Sequence, residues 1–443
     1  MRVVLIQPRS SWGKRPYLPN GLLSVAARLS QKGVRVRIVD LNIEDLDDAY
    51  VKVLLVNADM IGIGVLGSPY IPQALEIAQT LRQKGLMQPI VFGGETILRL
   101  SSQYFARIFS ERVSGDVRQI SDEATLGEVF GVGALPSMFD VSMRSAIEVL
   151  PTLYRQTYFE QAWCLFTSQG CKFRCNFCAA SKGTPERFRH PDAFADEVEG
   201  LARQVREICG DVAPYEVYLS TLDGCQSPVS MEITLRLIAE IQRRQGVRFP
   251  LRFLATSKMT VRGVASDPEL LKRWRAYGVH CIGLGVDGDD PAVWRRERKG
   301  HNVRSEIDQA FRLISEAGIQ PEALMVIGFP GDDNKAILRA VRACFRFAGQ
   351  GICPRPYLGK SGAPGSAEWT KGGPTVEELL EHPRFFREWE NAGLGSRVTH
   401  PDATQRHLAN AGFLLTTLAL KLSRVGCPTQ PLFPVTVSFQ VLF

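Results

Sequence analysis

The chain has 443 residues, 45% hydrophobic and 22% charged, an ordinary globular composition with room for two or three domains and large cores. Its formal net charge of +7 favours anionic small ligands, but no Lys/Arg block and no basic stripe interleaved with aromatics marks a nucleic-acid surface. No apolar run approaches the ~18 residues of a membrane span, and the chain opens directly on a strand-like run with no leader pattern, so a cytoplasmic protein with no membrane partner is expected.

Strands and helices alternate from the start. Arg2 to Gln7 is a short apolar run closed by Pro8, the signal of a buried parallel strand. Gly21 to Leu29 has helical periodicity and stops at Gly33. Further strands are expected at Val34–Asp40, Ile61–Leu66 and Pro89–Gly94, with a helix from Pro72 to Lys84 that ends at Gly85. Over residues 1–130 this predicts an α/β, Rossmann-like doubly wound parallel sheet, which binds ligands beyond the carboxyl ends of its strands. Those ends carry Gln7 to Ser10, then Gly64, Gly67, Ser68 and Tyr70, then Gly93, Gly94 and Glu95. Residues 131–160, broken by Gly131, Gly133, Pro136 and Pro151, read as a linker.

Residues 161–366 read as a second α/β unit. An apolar strand, Trp163 to Thr167, leads into Cys171, Cys175 and Cys178 at C-x3-C-x2-C spacing, with Phe177 before the third cysteine. Three thiolates on one tight loop suit an iron–sulfur cluster with one open iron. Half a zinc site and three buried thiols are the competing readings. Strands at Tyr215–Ser220, Leu251–Thr256, Cys281–Gly288 and Leu324–Gly331 alternate with helices, which predicts a partial or full βα barrel with its site at the strands' carboxyl ends. Asp223, Asp287, Gly328 and Phe329 fall at such ends. For both aspartates a helix cap or turn is the competing role. The Arg295 to Lys299 stretch reads as a solvated loop.

The cysteine loop resembles the signature of the radical S-adenosylmethionine (SAM) enzymes. That resemblance implies a [4Fe-4S] cluster on Cys171, Cys175 and Cys178, SAM chelated at its open iron, reductive cleavage to a deoxyadenosyl radical, and an external electron donor of flavodoxin or ferredoxin type. It further implies that Phe177, Asp223, Asp287, Gly328 and Phe329 attend SAM. Asp223 would lie near its amino group. Gly285 to Gly288 resembles the family's Gly-x-Glu-Ser strand end with Asp287 for Glu, one methylene shorter. Gly328 to Gly331 resembles the Gly-x-Pro-Gly stretch beside the adenine, and Pro356 to Gly359 resembles the segment that closes the core. The N-terminal region resembles the cobalamin-binding domain found in many radical SAM enzymes, on Pro19 to Leu23, Ile61 to Gly64, Gly93 to Glu95 and Ser121 to Leu126. That implies cobalamin over Gly64, Gly67, Ser68, Tyr70, Gly93, Gly94 and Glu95. The Asp-x-His-x-x-Gly motif is absent, and all six histidines lie at or beyond His190.

Of ten cysteines, unpaired in spacing and so suited to a reducing compartment, Cys281 and Cys344 are expected in the core. Cys225 and Cys353 are expected near the site mouth. The tail, 367–443, reads as a mostly helical extension, with a strong apolar helix from Ala409 to Leu422 and an apolar, aromatic end. The expected function is modification of a small-molecule substrate, by cobalamin-dependent methyl transfer. The alternatives are non-methylating radical chemistry, such as rearrangement, cyclisation or aminocarboxypropyl transfer, and a non-enzymatic iron–sulfur redox or sensor protein.

Overall fold

A computed structural model describes residues 1–9, 18–67, 70–159, 163–178, 180, 183–212, 216–359, 376 and 403–422. Five strands form the first sheet: β1 (Arg2–Gln7), β2 (Arg35–Asp40), β3 (Met60–Gly64), β4 (Ile90–Gly93) and β5 (Val117–Gln119). Their order is β2-β1-β3-β4-β5, all parallel. The run Val3, Val4, Leu5 and Ile6 is buried on both faces, as a central parallel strand requires. Chain order reverses between β1 and β3, and that is where a doubly wound sheet opens its ligand crevice. β5 is a strand that its short polar sequence did not announce.

The connection is folded and packed. Its helix Thr152–Phe159 buries Tyr154, Tyr158 and Phe159. Tyr158 donates to Asp40 Oδ2 at 2.6 Å, and Tyr154 donates to Glu44 Oε2 at 2.6 Å while accepting from the Asp40 amide at 2.9 Å. On the other side, Arg189 donates to Glu197 at 2.8 Å and to the Val141 carbonyl at 2.7 Å, and Glu197 accepts from the Met143 amide. The linker is thus bonded to both units it joins.

The second sheet begins with β6 (Cys164–Phe166). A small antiparallel ribbon of β7 (Ser168–Gln169) and β8 (Arg187–Phe188) follows. Then come β9 (Val217–Ser220), β10 (Leu251–Ala255), β11 (Val279–Gly285), β12 (Gln320–Ile327) and β13 (Cys353–Leu358). The six parallel strands lie in the order β13-β12-β11-β10-β9-β6. Each strand adds to the same edge, so right-handed crossovers carry the helices to one face and leave the other face to curl inward. Cys164, Tyr218, Leu254, Leu324 and Tyr357 meet on that inner face. Beneath them Arg252 and Arg355 each turn an Nε–Nη2 edge to one oxygen of the fully buried Glu322.

The helix Ala403–Leu422 packs against the helix Asn334–Gly349 and against β13. The rest of the tail expectation, including Cys427, falls outside the described residues, as does Ser68. No helix among the described residues is long and apolar enough to cross a membrane.

Candidate functional site

The β7–β8 ribbon is the stem of the cysteine loop. It pairs Ser168 with Phe188 and Gln169 with Arg187, so residues 170–186 must double back within a short span. Gly170 sits at φ 108°, where a side chain would strike the Pro185 carbonyl. Inside the loop the Thr184 amide donates to the Cys171 carbonyl at 3.1 Å and the Cys178 amide to the Cys175 carbonyl at 3.3 Å. Asn176 bolts the tip to the far side of the site. Its amide donates to the Glu297 carbonyl at 3.0 Å and its Nδ2 to the Arg296 carbonyl at 2.7 Å.

All three loop cysteines are half-buried. Burial pushes the Cys171 thiol up to about 11 and the Cys175 thiol up to about 12. Among the described residues, no three His, Cys, Asp or Glu side chains converge as a single ion would need.

Lys299 is 5% exposed; its Nζ donates to the Gly285 carbonyl at 2.6 Å and pairs with Asp287. It lies 6.0 Å from the Phe177 ring centre and is the charge that most favours the Cys175 thiolate. The Arg295–Lys299 stretch is therefore no solvated loop. It begins in the last two residues of the short helix Pro291–Arg296, and both Glu297 and Lys299 turn inward. Asp287 holds φ 49°, a left-handed conformation that Asp tolerates better than most residues, which swings its carboxylate back to the ammonium. Phe329 lies 5.2 Å from Phe177, ring to ring, and its amide donates to Asp332 Oδ2 at 2.9 Å. Gly328 and Gly331 both have positive φ, so the chain turns sharply around Phe329. Phe173 stacks on His301 with ring centres 3.9 Å apart, and burial drops that imidazole to about 3, so it is neutral.

The structure brings Phe177, Asp287, Gly328 and Phe329 together around the loop. Asp223 is near but enclosed: it is fully buried, Oδ2 accepts from Thr256 Oγ1 at 2.8 Å, and Oδ1 accepts from the Thr256 amide at 3.1 Å and the Cys225 amide at 3.3 Å. Cys225 does not face the mouth. It is fully buried and accepts from Thr260, because the turn after Asp223 points it into the core. Cys353 opens β13, buried at the strand's amino end and away from the mouth. Lys299 and Glu186, half-buried beside Cys171, had no motif to announce them.

On the first sheet, Gly64, Gly67, Tyr70, Gly93 and Gly94 gather at the carboxyl edge. Their neighbours explain several glycines by packing. A Cβ on Gly64 would press on Leu22, one on Gly93 on Ile120, and Gly94, at φ 105°, would press on the Val65 backbone. Glu95 pairs with Arg99 one turn along its helix. The same edge holds two buried amide oxygens without partners, Asn20 Oδ1 and Gln73 Oε1, in the first turns of the helices Asn20–Ser30 and Ile71–Gln83.

Residues 165–344 match the Radical SAM superfamily model. The hopanoid C-2 methylase of Rhodopseudomonas palustris is 25% identical over 167 residues, 37% of this chain and 29% of that one. An uncharacterized methyltransferase of Synechocystis sp. is 24% identical over 211 residues, 46% of this chain and 35% of that one. The chain thus matches about a third of the length of these curated relatives. Among solved structures, the radical SAM methyltransferase TsrM of Kitasatospora setae superposes with a TM-score of 0.57 at 18% identity, over 83% of this chain and 74% of that one. The cobalamin-dependent SAM radical enzyme OxsB does so with a TM-score of 0.60 at 15% identity, over 87% and 56%. At such identity the likeness is one of fold, and it spans both sheets. The region that matches the radical SAM superfamily model thus holds the cysteine loop and strands β9 to β12, with β6 at its edge and β13 beyond it.

Proposed function

We propose that this chain cleaves SAM at a [4Fe-4S] cluster held by Cys171, Cys175 and Cys178, and methylates a small-molecule substrate with a cobalamin bound to its N-terminal sheet. The carrying observation is the union in one chain of a β2-β1-β3-β4-β5 crevice with an open six-stranded array whose cysteine loop, Phe177, Asp287, Lys299 and Phe329 form one cluster. The relatives named above include a methylase, and the solved neighbours include a cobalamin-bound TsrM.

The residues present fit these groups. Burial raises the Cys171 and Cys175 thiols, with Lys299 alone opposing it at Cys175, and iron would supply the charge that ionises them. Asn20 Oδ1 and Gln73 Oε1 are orphan acceptors suited to a ligand rich in amide N–H groups, as cobalamin is through its amide side arms. No histidine of this domain can ligate cobalt, since the first one is His190. When bound, a cluster with an open iron supplies an electron for reductive cleavage of SAM, and a corrinoid supplies a transferable methyl group. The electron comes from a flavodoxin- or ferredoxin-type donor.

The chain's own residues do the rest. Phe177 and Phe329 make an apolar wall that keeps water from the loop. Lys299 and Asp287 neutralise each other beside Cys175, so the loop carries no stray buried charge. The turn at Gly328–Gly331 exposes backbone to a flat ring. Asp223 ties the ends of β9 and β10.

The test is anaerobic reconstitution with iron, sulfide and hydroxocobalamin, followed by gel filtration and product analysis under reductant. A co-eluting corrinoid band with deoxyadenosine, S-adenosylhomocysteine and a methylated product supports the reading. Deoxyadenosine without corrinoid retention or new methyl groups points to non-methylating radical chemistry. A fully loaded cluster that never cleaves SAM sinks the proposal.

A further inference from the structure

Two carboxylates flank Cys171, and they differ in what remains open. Asp223 has no free face: both oxygens are bonded to Thr256, one also to the Cys225 amide, and the side chain is fully buried. Glu186 is different. Its Oε1 accepts from Ser168 Oγ at 2.7 Å and from Thr221 Oγ1 at 2.9 Å, while its Oε2 is buried and makes no hydrogen bond. The Gln226 and Ser227 side chains act on the carboxylate from hydrogen-bonding range without meeting Oε2 in bonding geometry, so the groups around it are hydroxyls and an amide, with no cation in the set. A buried carboxylate oxygen without a partner is costly unless a cation comes to it.

The fold holds that oxygen beside the cluster loop. Glu186 immediately precedes β8, the second strand of the stem, and follows Thr184, which is bonded to the Cys171 carbonyl. Gln226 accepts from the Lys172 amide at 2.9 Å, closing the same corner from the β9 side. A ligand that chelates the open iron through an amino acid end brings one primary ammonium into this neighbourhood.

We infer that Glu186 Oε2 is the acceptor for the α-ammonium of SAM, and that Asp223 is a positioning residue that fixes the ends of β9 and β10. This rests on the SAM-binding reading above. It differs from the family-based expectation, which assigns the ammonium to Asp223.

The experiment measures dissociation constants for SAM, and for a SAM analogue with hydrogen in place of the α-amino group, on anaerobically reconstituted protein. The wild type should prefer SAM by about tenfold or more, the size of one charged hydrogen bond. Glu186→Gln should remove that preference at unchanged cluster absorbance, while Asp223→Asn keeps it. Glu186→Asp, which retains charge but falls short by a methylene, should lose most of the preference, and it decides the matter if the Gln variant fails to load iron. Retention of the preference by either Glu186 variant overturns the assignment, as does its loss in Asp223→Asn alone. A wild-type protein with a full cluster that binds neither compound overturns the SAM reading itself.

Discussion

Asp223 is enclosed on every side, and burial raises its carboxyl to about 7 from an unfolded value near ~4. The folded state therefore keeps the proton that the unfolded chain releases. The stabilising contribution is complete below the unfolded value and is lost as pH rises through about 7. Asp223→Asn has no such proton to lose, so its melting temperature relative to wild type should climb between about pH 5 and about pH 8. Parallel pH profiles for the two proteins would show that the carboxyl does not titrate there. Glu322 poses the opposite case. It neutralises two buried guanidiniums, Arg252 and Arg355, and Glu322→Gln leaves both under-compensated. Loss of about 3–5 kcal/mol is expected, read from the urea midpoint. The cysteines were legible at this scale because spacing on one loop is a local property. Lys299 was not, because only folding turns its stem inward from a run of exposed-looking charges.

The cysteine loop is an element held by backbone pairing rather than by apolar packing. Its stem is two residues on each strand, and its tip hangs on Asn176. Asn176→Ala deletes the side-chain bond to the Arg296 carbonyl and should loosen the tip without touching a thiol. The expected outcome is a cluster that forms but is stripped several-fold faster by a chelator, with the melting temperature of the rest little changed. An unchanged stripping rate would mean that the amide bond to Glu297 suffices. Strands β1 to β4 and β9 to β12 were readable as apolar runs because parallel strands buried on both faces need them. β5, β7 and β8 were not, since three-residue and two-residue strands carry no period to detect.

The whole molecule is joined through its connection. Asp40, at the end of β2, is fully buried, and burial raises its carboxyl while Tyr158 and Asn42 oppose that rise. Tyr158→Phe removes one of its donors across the junction and should cost about 1–3 kcal/mol, the penalty of an unsatisfied buried acceptor. Calorimetry should show the loss as a broadened or split transition, because this bond couples the two sheets. A single transition at the wild-type temperature would mean that the clamp carries no coupling.

By itself the sequence determined the alternation of strands and helices, the two successive α/β units, the loop of three cysteines and the glycine-rich strand ends. All of these are patterns over a few neighbouring residues, where local sterics, burial period and ligand spacing act. Tertiary structure alone decided which carboxylate has an oxygen to offer. Asp223 and Glu186 are both acidic residues that the fold sets near the loop, yet Thr256 and the Cys225 amide occupy the oxygens of the first, while Ser168 and Thr221 bond one oxygen of the second. It also decided that the Arg295–Lys299 run supplies a buried ammonium beside Cys175 and that Cys225 and Cys353 stay inside. Those outcomes depend on contacts between residues tens of positions apart, and no local pattern encodes them.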